Sequence, residues 1–478
     1  MKQFYILREG FLVLRKGFLV PRSLFLVRCF LGSTPRVRCL AHWCLLVICC
    51  SFVVQTTAFS EQPRTKNQEP GTGVAEPFRP EAGKFPPLEN AHSYRGELVF
   101  VDHANRRGSL RVTADGFFFR NPPHPFAMLP YGIVRYHGAP ADLRDVPLGT
   151  MLHVRAFLPP DPKISSVPVL PVDNKKKVVP SGGEGFEPAE NHVLLLEDEP
   201  SHCLREGKVW KLKEARVEKL GGLIIATCEP KAGTAAKVSE EKLHFDPATR
   251  VHRGRESMTL TEWMAEDAWP AEGTKSLGGR PVQLGIVWRP TIAGAGVQEG
   301  VPFTSFHIAD IWLDDTSLQR AADHQTEVHK VHMRKYWLPA WVDSVEYGKL
   351  GHATVTATLF GGIDPSLYAD FKPGVPALIN GAENTLKHVA GPYGPAHMAS
   401  NGTIRDVTKA TGDVPLGSSG IQIRFETDLI TEGLRPTRVV RVRPAGWPRV
   451  QVPREEYLGN GDFNLIDRFP TPVIFPKY

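Results

Sequence analysis

Apolar and polar residues alternate with a period of two along many short segments of this chain, and glycine and proline punctuate the segments. Arg95–Asp102 and Gly108–Thr113 alternate across a turn at Asn105–Gly108, and Tyr131–Gly138, Gly149–Leu158 and His192–Glu199 read as further strands. The same plan follows in Glu206–Glu218, Gly222–Glu229, Lys242–Gly254, Gly279–Pro290 and Phe303–Asp315, with a short helix over Ser257–Trp269 in which Thr259 and Glu262 stand at capping-box spacing. A third set comprises Leu338–Gly348, His352–Gly362, Ser418–Asp428 and Thr437–Pro444, around a long loop at Asn384–Gly402. The pattern predicts a mainly β fold of tandem small, partly open barrels, OB-like or SH3-like, because closing such a sheet pairs edge groups that a lone hairpin would leave open.

One segment departs from this period. From Leu318, residues Ala322, Gln325, His329, His332, Met333 and Tyr336 fall on one line at 100° per residue, with Arg320, Glu327, Lys330 and Arg334 elsewhere. Asp314, Asp315, Thr316 and Ser317 supply capping oxygens before it and Pro339 stops it, so a connecting amphipathic helix is expected over 316–336. The segments LLLEDEPS (194–201) and DIWLDDTS (310–317) both end a strand on an acidic pair followed by a helix-starting Ser, which points to an internal repeat. The expected organisation is a leader over 1–60, a disordered linker over 61–93, and a first barrel over 94–203 with an insertion at 161–190. A second barrel over 204–315, the helix, a third barrel over 337–450 and a tail over 451–478 complete it.

Charge changes the picture only at the N-terminus. The formal net charge is +6, but residues 1–58 hold eight Lys/Arg and one acid, leaving 49 basic against 50 acidic residues in the rest. A nucleic-acid footprint is therefore not expected in the body. Leu40–Ser60 contains no charged side chain, follows Arg36 and Arg38 and ends in small residues, the pattern of a secretory signal peptide, with an uncleaved anchor as the alternative. Three seven-residue repeats from Gly10 imply either a start downstream of Met1 or an extended n-region. Periplasmic or extracellular localisation follows as the expectation.

Five of the seven cysteines lie in the leader; Cys203 and Cys228 remain and flank a hairpin turning near Gly221–Gly222. A hairpin brings its ends together, so a Cys203–Cys228 disulfide is expected, with two free buried thiols as the alternative. His329 and His332, spaced i, i+3 on the inward stripe, are candidate metal ligands; the competing reading is a pair of packed histidines, and spacing identifies no third ligand. Phosphate loops, HExxH, CxxC and GxSxG are absent from the sequence. No catalytic residue and no cofactor are expected. Ser418–Ser419 read as a turn, Asp314–Asp315 and Glu197–Glu199 as helix caps, and Trp337, Trp341 and Trp447 as core side chains, in preference to a nucleophile, a calcium site and a carbohydrate-stacking surface.

Leu338–Gly348, the run TVTATLFGG, Ser418–Ile423 and EGLRPTRVVRVRPAGWP together resemble uncharacterised secreted bacterial proteins with repeated small β-domains, over about residues 190–450. The resemblance implies export and a β-rich fold and carries over no functional residue. The resulting expectation is an exported, non-enzymatic binding or scaffolding protein of the cell envelope, with an envelope protein or polysaccharide as partner and a membrane contact only through an uncleaved leader. The alternatives are a metal-binding protein or metal-dependent enzyme using His329 and His332, and an OB-type binder of nucleic acid or carbohydrate.

Overall fold

The computed structural model describes residues 78–447, except 104–105, 115–116, 119–122, 159–191, 220, 232–239, 292–302, 382–398 and 431–433. The expected leader, the insertion at 161–190 and the tail at 451–478 lie outside the described residues, as do His388 and His397 of the long loop, histidines that read from sequence as solvated rather than as lining a site.

The first barrel is built from β1 (His92–Asp102), β2 (Arg107–Ala114), β3 (Phe117–Phe118), β4 (His124–Tyr136), β5 (Ala139–Ala141), β6 (Met151–Phe157) and β7 (His192–Asp198). Pairing runs β1–β2–β4–β7–β6 and back to β1, with β4 and β7 parallel, while β3 and β5 extend β2 and β4. A helix, α1 (Glu199–Arg205), follows. The second barrel uses β8 (Lys208–Glu218), β9 (Gly221–Pro230), β10 (Glu240–Phe245), β11 (Arg250–Arg253), β12 (Glu256–Thr259), α2 (Leu260–Glu266), β13 (Gly273–Thr291) and β14 (Phe303–Trp312). Its ring is β8–β9–β10–β14–β13, again with a parallel closing pair, β10 with β14. Both rings have the five-stranded OB-type order. In each, the parallel pair joins the two ends of the meander, which gives the tandem small barrels that the alternation predicts.

After α3 (Asp315–Tyr336) come β15 (Leu338–Tyr347), β16 (Ala353–Phe360), α4 (Pro365–Tyr368), β17 (Pro376–Gly381), β18 (Ser400–Lys409), β19 (Ser418–Thr427) and β20 (Val439–Pro444). These six strands close an antiparallel barrel in the order β15–β16–β19–β18–β17–β20. Two of them, β17 and β18, flank the segment read from sequence as one loop; their Gly381, Gly402 and Pro376 mask the strand signal. Gly402 is required there, since a Cβ would lie 2.0 Å from the Glu426 carbonyl oxygen and 2.7 Å from the Phe425 ring.

Each barrel carries its own apolar core, around Leu98, Met128 and Val154 in the first, Trp210, Ile224 and Ile286 in the second, and Val355, Ile423 and Phe425 in the third. A fourth cluster joins the first barrel to the third. Four residues of β4, Leu129–Gly132, bulge out of register with β7 and bring Leu129 and Tyr131 against Trp341 and Phe360. Arg106 holds that bulge by donating to the carbonyl oxygens of Leu129 (3.2 Å), Pro130 (2.6 Å) and Gly132 (2.7 Å). Phe85 completes the cluster, 5.0 Å from the Tyr131 ring and 6.5 Å from the Trp341 ring. The linker expected over 61–93 is thus corrected for its described part: the Phe78 ring tilts against that of Phe157 at 5.6 Å, Phe85 plugs the junction, and Ala91 is buried. Anchoring by isolated aromatics leaves no periodic signal in the sequence.

The repeat inferred from the acidic endings has a physical counterpart. Asp198 caps α1 by accepting from the Ser201 amide at 3.1 Å, and it also accepts from the His137 amide of the β4–β5 turn at 2.8 Å. Asp314 caps α3 by accepting from the Ser317 amide at 2.8 Å, and it accepts from the Gly254 amide of the β11–β12 turn at 2.8 Å. In both barrels one carboxylate starts the outgoing helix and ties it to a hairpin of the same barrel. Asp314→Ala removes a cap and leaves the Gly254 amide unpaired, so a loss of about 1–2 kcal/mol in urea unfolding is expected; an unchanged midpoint would show that α3 needs no such anchor.

The stripe of α3 is buried as its spacing predicts: Leu318, Gln325, His329, His332, Met333 and Tyr336 face inward, and Ala322 is half-buried. Trp337, in left-handed backbone (φ 65°), turns the chain into β15, and Arg441 closes the helix end by donating to the carbonyl oxygens of Tyr336 (3.0 Å) and Trp337 (3.3 Å). Among the described residues no helix is long and apolar enough to cross a membrane.

Candidate functional site

The helix α1 has about two turns beyond its Asp198 cap, and Pro200 is tolerated in its first turn because that amide has no helical acceptor. Glu199 and Cys203 are four residues apart and share a face. That face lies in the seam where β1 and β6 of the first barrel meet β8 and β9 of the second.

Glu199 is 3% exposed and is the hub of the seam. Its Oε2 accepts from Arg95 at 3.1 Å and lies 2.8 Å from His153 Nε2. Its Oε1 accepts from Trp210 Nε1 at 3.2 Å and from the Cys203 thiol at 3.6 Å. Arg95 reaches on to Glu241 at 3.4 Å and covers the Phe306 ring. His153 stacks on His202 at 3.7 Å, and Glu197 pairs with Arg205 at 2.8 Å and with His202 at 3.8 Å. Burial on its own would raise the Glu199 carboxyl, but Arg95 and His153 outweigh it and hold the group well below the usual carboxylate range. Asp198 has no such cation. Burial lifts it to about 7, against the hydrogen bonds from Ser201 and His137.

Cys203 and Cys228 are brought together, but by another route than expected. Cys228 sits on β9 opposite Trp210, and Cys203 precedes the hairpin, arriving on α1. Both are free thiols with sulfurs 3.8 Å apart, so the expected disulfide, which needs about 2.05 Å, is not formed here. The Cys228 contact and burial push the Cys203 thiol far above its usual range.

His329 and His332 face the first barrel. His332 Nε2 lies 3.6 Å from Asp142 Oδ2, an ion-pair distance longer than a hydrogen bond, and both ring nitrogens of His332 and Nδ1 of His329 lack hydrogen-bond partners. Burial pushes His329 down to about 4 and lowers His332 as well, with Asp142 pulling the other way. Asp142 is the neighbour that sequence spacing did not identify. Among the described residues, the group of three His, Cys, Asp or Glu side chains whose ligand atoms lie within 4.8 Å of one another is Glu199, Cys203 and Cys228; His329 and His332 are not in it.

Other sequence candidates are absorbed by the fold. Glu197, Asp198 and Asp314 are engaged in the contacts above, Ser418 and Ser419 open β19, and Trp337, Trp341 and Trp447 are buried. His352 lies 3.5 Å from Asp428 on the surface of the third barrel. Sequence reading missed Arg95, His153 and Glu199 as a group, since they come from β1, β6 and α1. The only available signal was the four-residue step from Glu199 to Cys203 beside a second cysteine. Compared with protein families, curated proteins and solved structures, the chain matches none.

Proposed function

We propose that the chain is an exported binding or scaffolding protein of the cell envelope, in which three barrels act as one stiff platform for an envelope protein or polysaccharide. The observation that carries this reading is the use made of the strongly perturbed carboxyl groups. Glu199 and Asp198 are spent on fixing α1 between barrels or to a hairpin of its own barrel. Perturbed groups mark catalytic sites when they face a cleft; here their partners are side chains and amides of the same fold. The uncharged leader segment and the near-neutral body support export and a partner other than nucleic acid.

The test is cosedimentation of the purified chain with isolated envelope polysaccharide and with envelope vesicles, alongside N-terminal sequencing of the cell-fractionated protein. Saturable binding without turnover, and an N-terminus after Ala58 or Ser60, is the expected result. Hydrolysis of an ester, peptide or glycosidic bond that one substitution abolishes would overturn the reading.

A further inference from the structure

We propose that Glu199, Cys203 and Cys228 form a binding site for one zinc ion in the seam between the first and second barrels. The spacing of the three donors is the first reason. Two thiolates on a tetrahedral zinc at about 2.3 Å are about 3.8 Å apart, and a thiolate and a carboxylate oxygen at about 2.1 Å are about 3.6 Å apart. The Cys203 and Cys228 sulfurs are 3.8 Å apart, and Cys203 Sγ is 3.6 Å from Glu199 Oε1. Two of the three donor–donor distances thus already match a tetrahedral face, and all three donors lie within 4.8 Å of one another.

The second reason is the shell around them. Glu199 Oε2 is occupied by Arg95 and His153, which leaves Oε1 turned toward the sulfurs and steadied by Trp210. Ligating carboxylates are typically oriented by such outer partners. The third reason is charge. Binding follows Zn²⁺ + 2 RSH → Zn(SR)₂ + 2 H⁺, so the net charge of the buried seam is unchanged, and Arg95 still balances Glu199. Cys228 is the half-buried member of the three, so the ion enters, and a water completes the tetrahedron, from its side. Coordination would also protect the thiols from oxidation in an exported chain. The site does not depend on export or on scaffolding.

The experiment uses the full chain, reduced and freed of metal. Titration with Co²⁺ is expected to give a thiolate-to-cobalt charge-transfer band saturating at one equivalent, with release of two protons per ion bound, and Zn²⁺ is expected to remove the band with no further proton release. Cys228→Ser, which leaves the Glu199 network intact, should abolish the band while keeping the circular-dichroism spectrum. Glu199→Gln should weaken zinc binding at least about tenfold. Absence of the band in the reduced chain, or the same band and stoichiometry in Cys228→Ser, overturns the proposal. A disulfide found by mass in the isolated protein, with no metal uptake after reduction, does so as well. None of these readouts involves an envelope ligand, so failure here and failure of the scaffolding reading are told apart.

Discussion

Glu199→Ala is expected to destabilise the folded chain by about 3–5 kcal/mol, the largest effect of a single substitution outside the barrel cores. The reason is what the change leaves behind. Arg95 loses its closest carboxylate and keeps Glu241 at 3.4 Å, while Trp210 Nε1 and the buried Cys203 thiol lose Glu199 as acceptor. Urea unfolding at neutral pH measures the loss, and the double variant Glu199→Ala/Arg95→Ala should be less damaged than the two single losses added together. A loss below about 1 kcal/mol would mean that the two barrels are held by apolar packing and that the network is incidental. The carboxyl is held low in the folded state, so its contribution is present above the ordinary glutamate value of 4.5 and disappears as pH falls below it.

Acid should weaken the fold well before that point, and histidine is the cause. His192 and His329 are buried and pushed down to about 4 from 6.5, chiefly by desolvation of the charged ring. A group whose folded value is depressed in this way binds its proton more readily in the unfolded chain, so stability is lost as pH falls from 6.5 toward 4. His307 and His332 lean the same way. Asp198 opposes them, because its folded value is raised to about 7 and its contribution is greatest at low pH. Three strongly depressed histidines, His137 being the third, against one raised carboxyl leave a net uptake of about two protons on unfolding, or roughly 2–3 kcal/mol per pH unit near pH 5. Urea midpoints between pH 7 and 4.5 test this. His329→Gln should flatten the slope, and a stability that rises on acidification would show that Asp198 dominates.

Alternation of apolar and polar residues was sufficient to mark fourteen strand segments and to group them into small barrels, with OB-like and SH3-like left open, because a half-buried strand must present one face to a core. The inward line of α3 was equally legible, since a helix of 22 residues repeats its face several times. Capping at Asp314 and the box of Thr259 with Glu262 were readable for the same local reason: donor and acceptor lie three residues apart. The acidic endings at Asp198 and Asp314 were recognisable as a repeat, although their second task, holding a hairpin turn, was not.

Apart from the connecting helix α3, the side-chain contacts that join the barrels were decided by tertiary structure. Arg95 and Glu199 are 104 residues apart, and Gln325 reaches Asp145 across 180. No periodicity links such pairs; each becomes a contact only when separate rings are stacked. Closure of the rings depends on parallel pairs, β4 with β7 and β10 with β14, between strands far apart in sequence. The same holds for the cysteines. Sequence put them at the ends of a hairpin, whereas the helix inserted between strand and hairpin set their sulfurs beside a carboxylate. What the residues determine alone is which segments are strands and which face each buries; which buried polar groups meet is fixed only by how three separate barrels pack against one another.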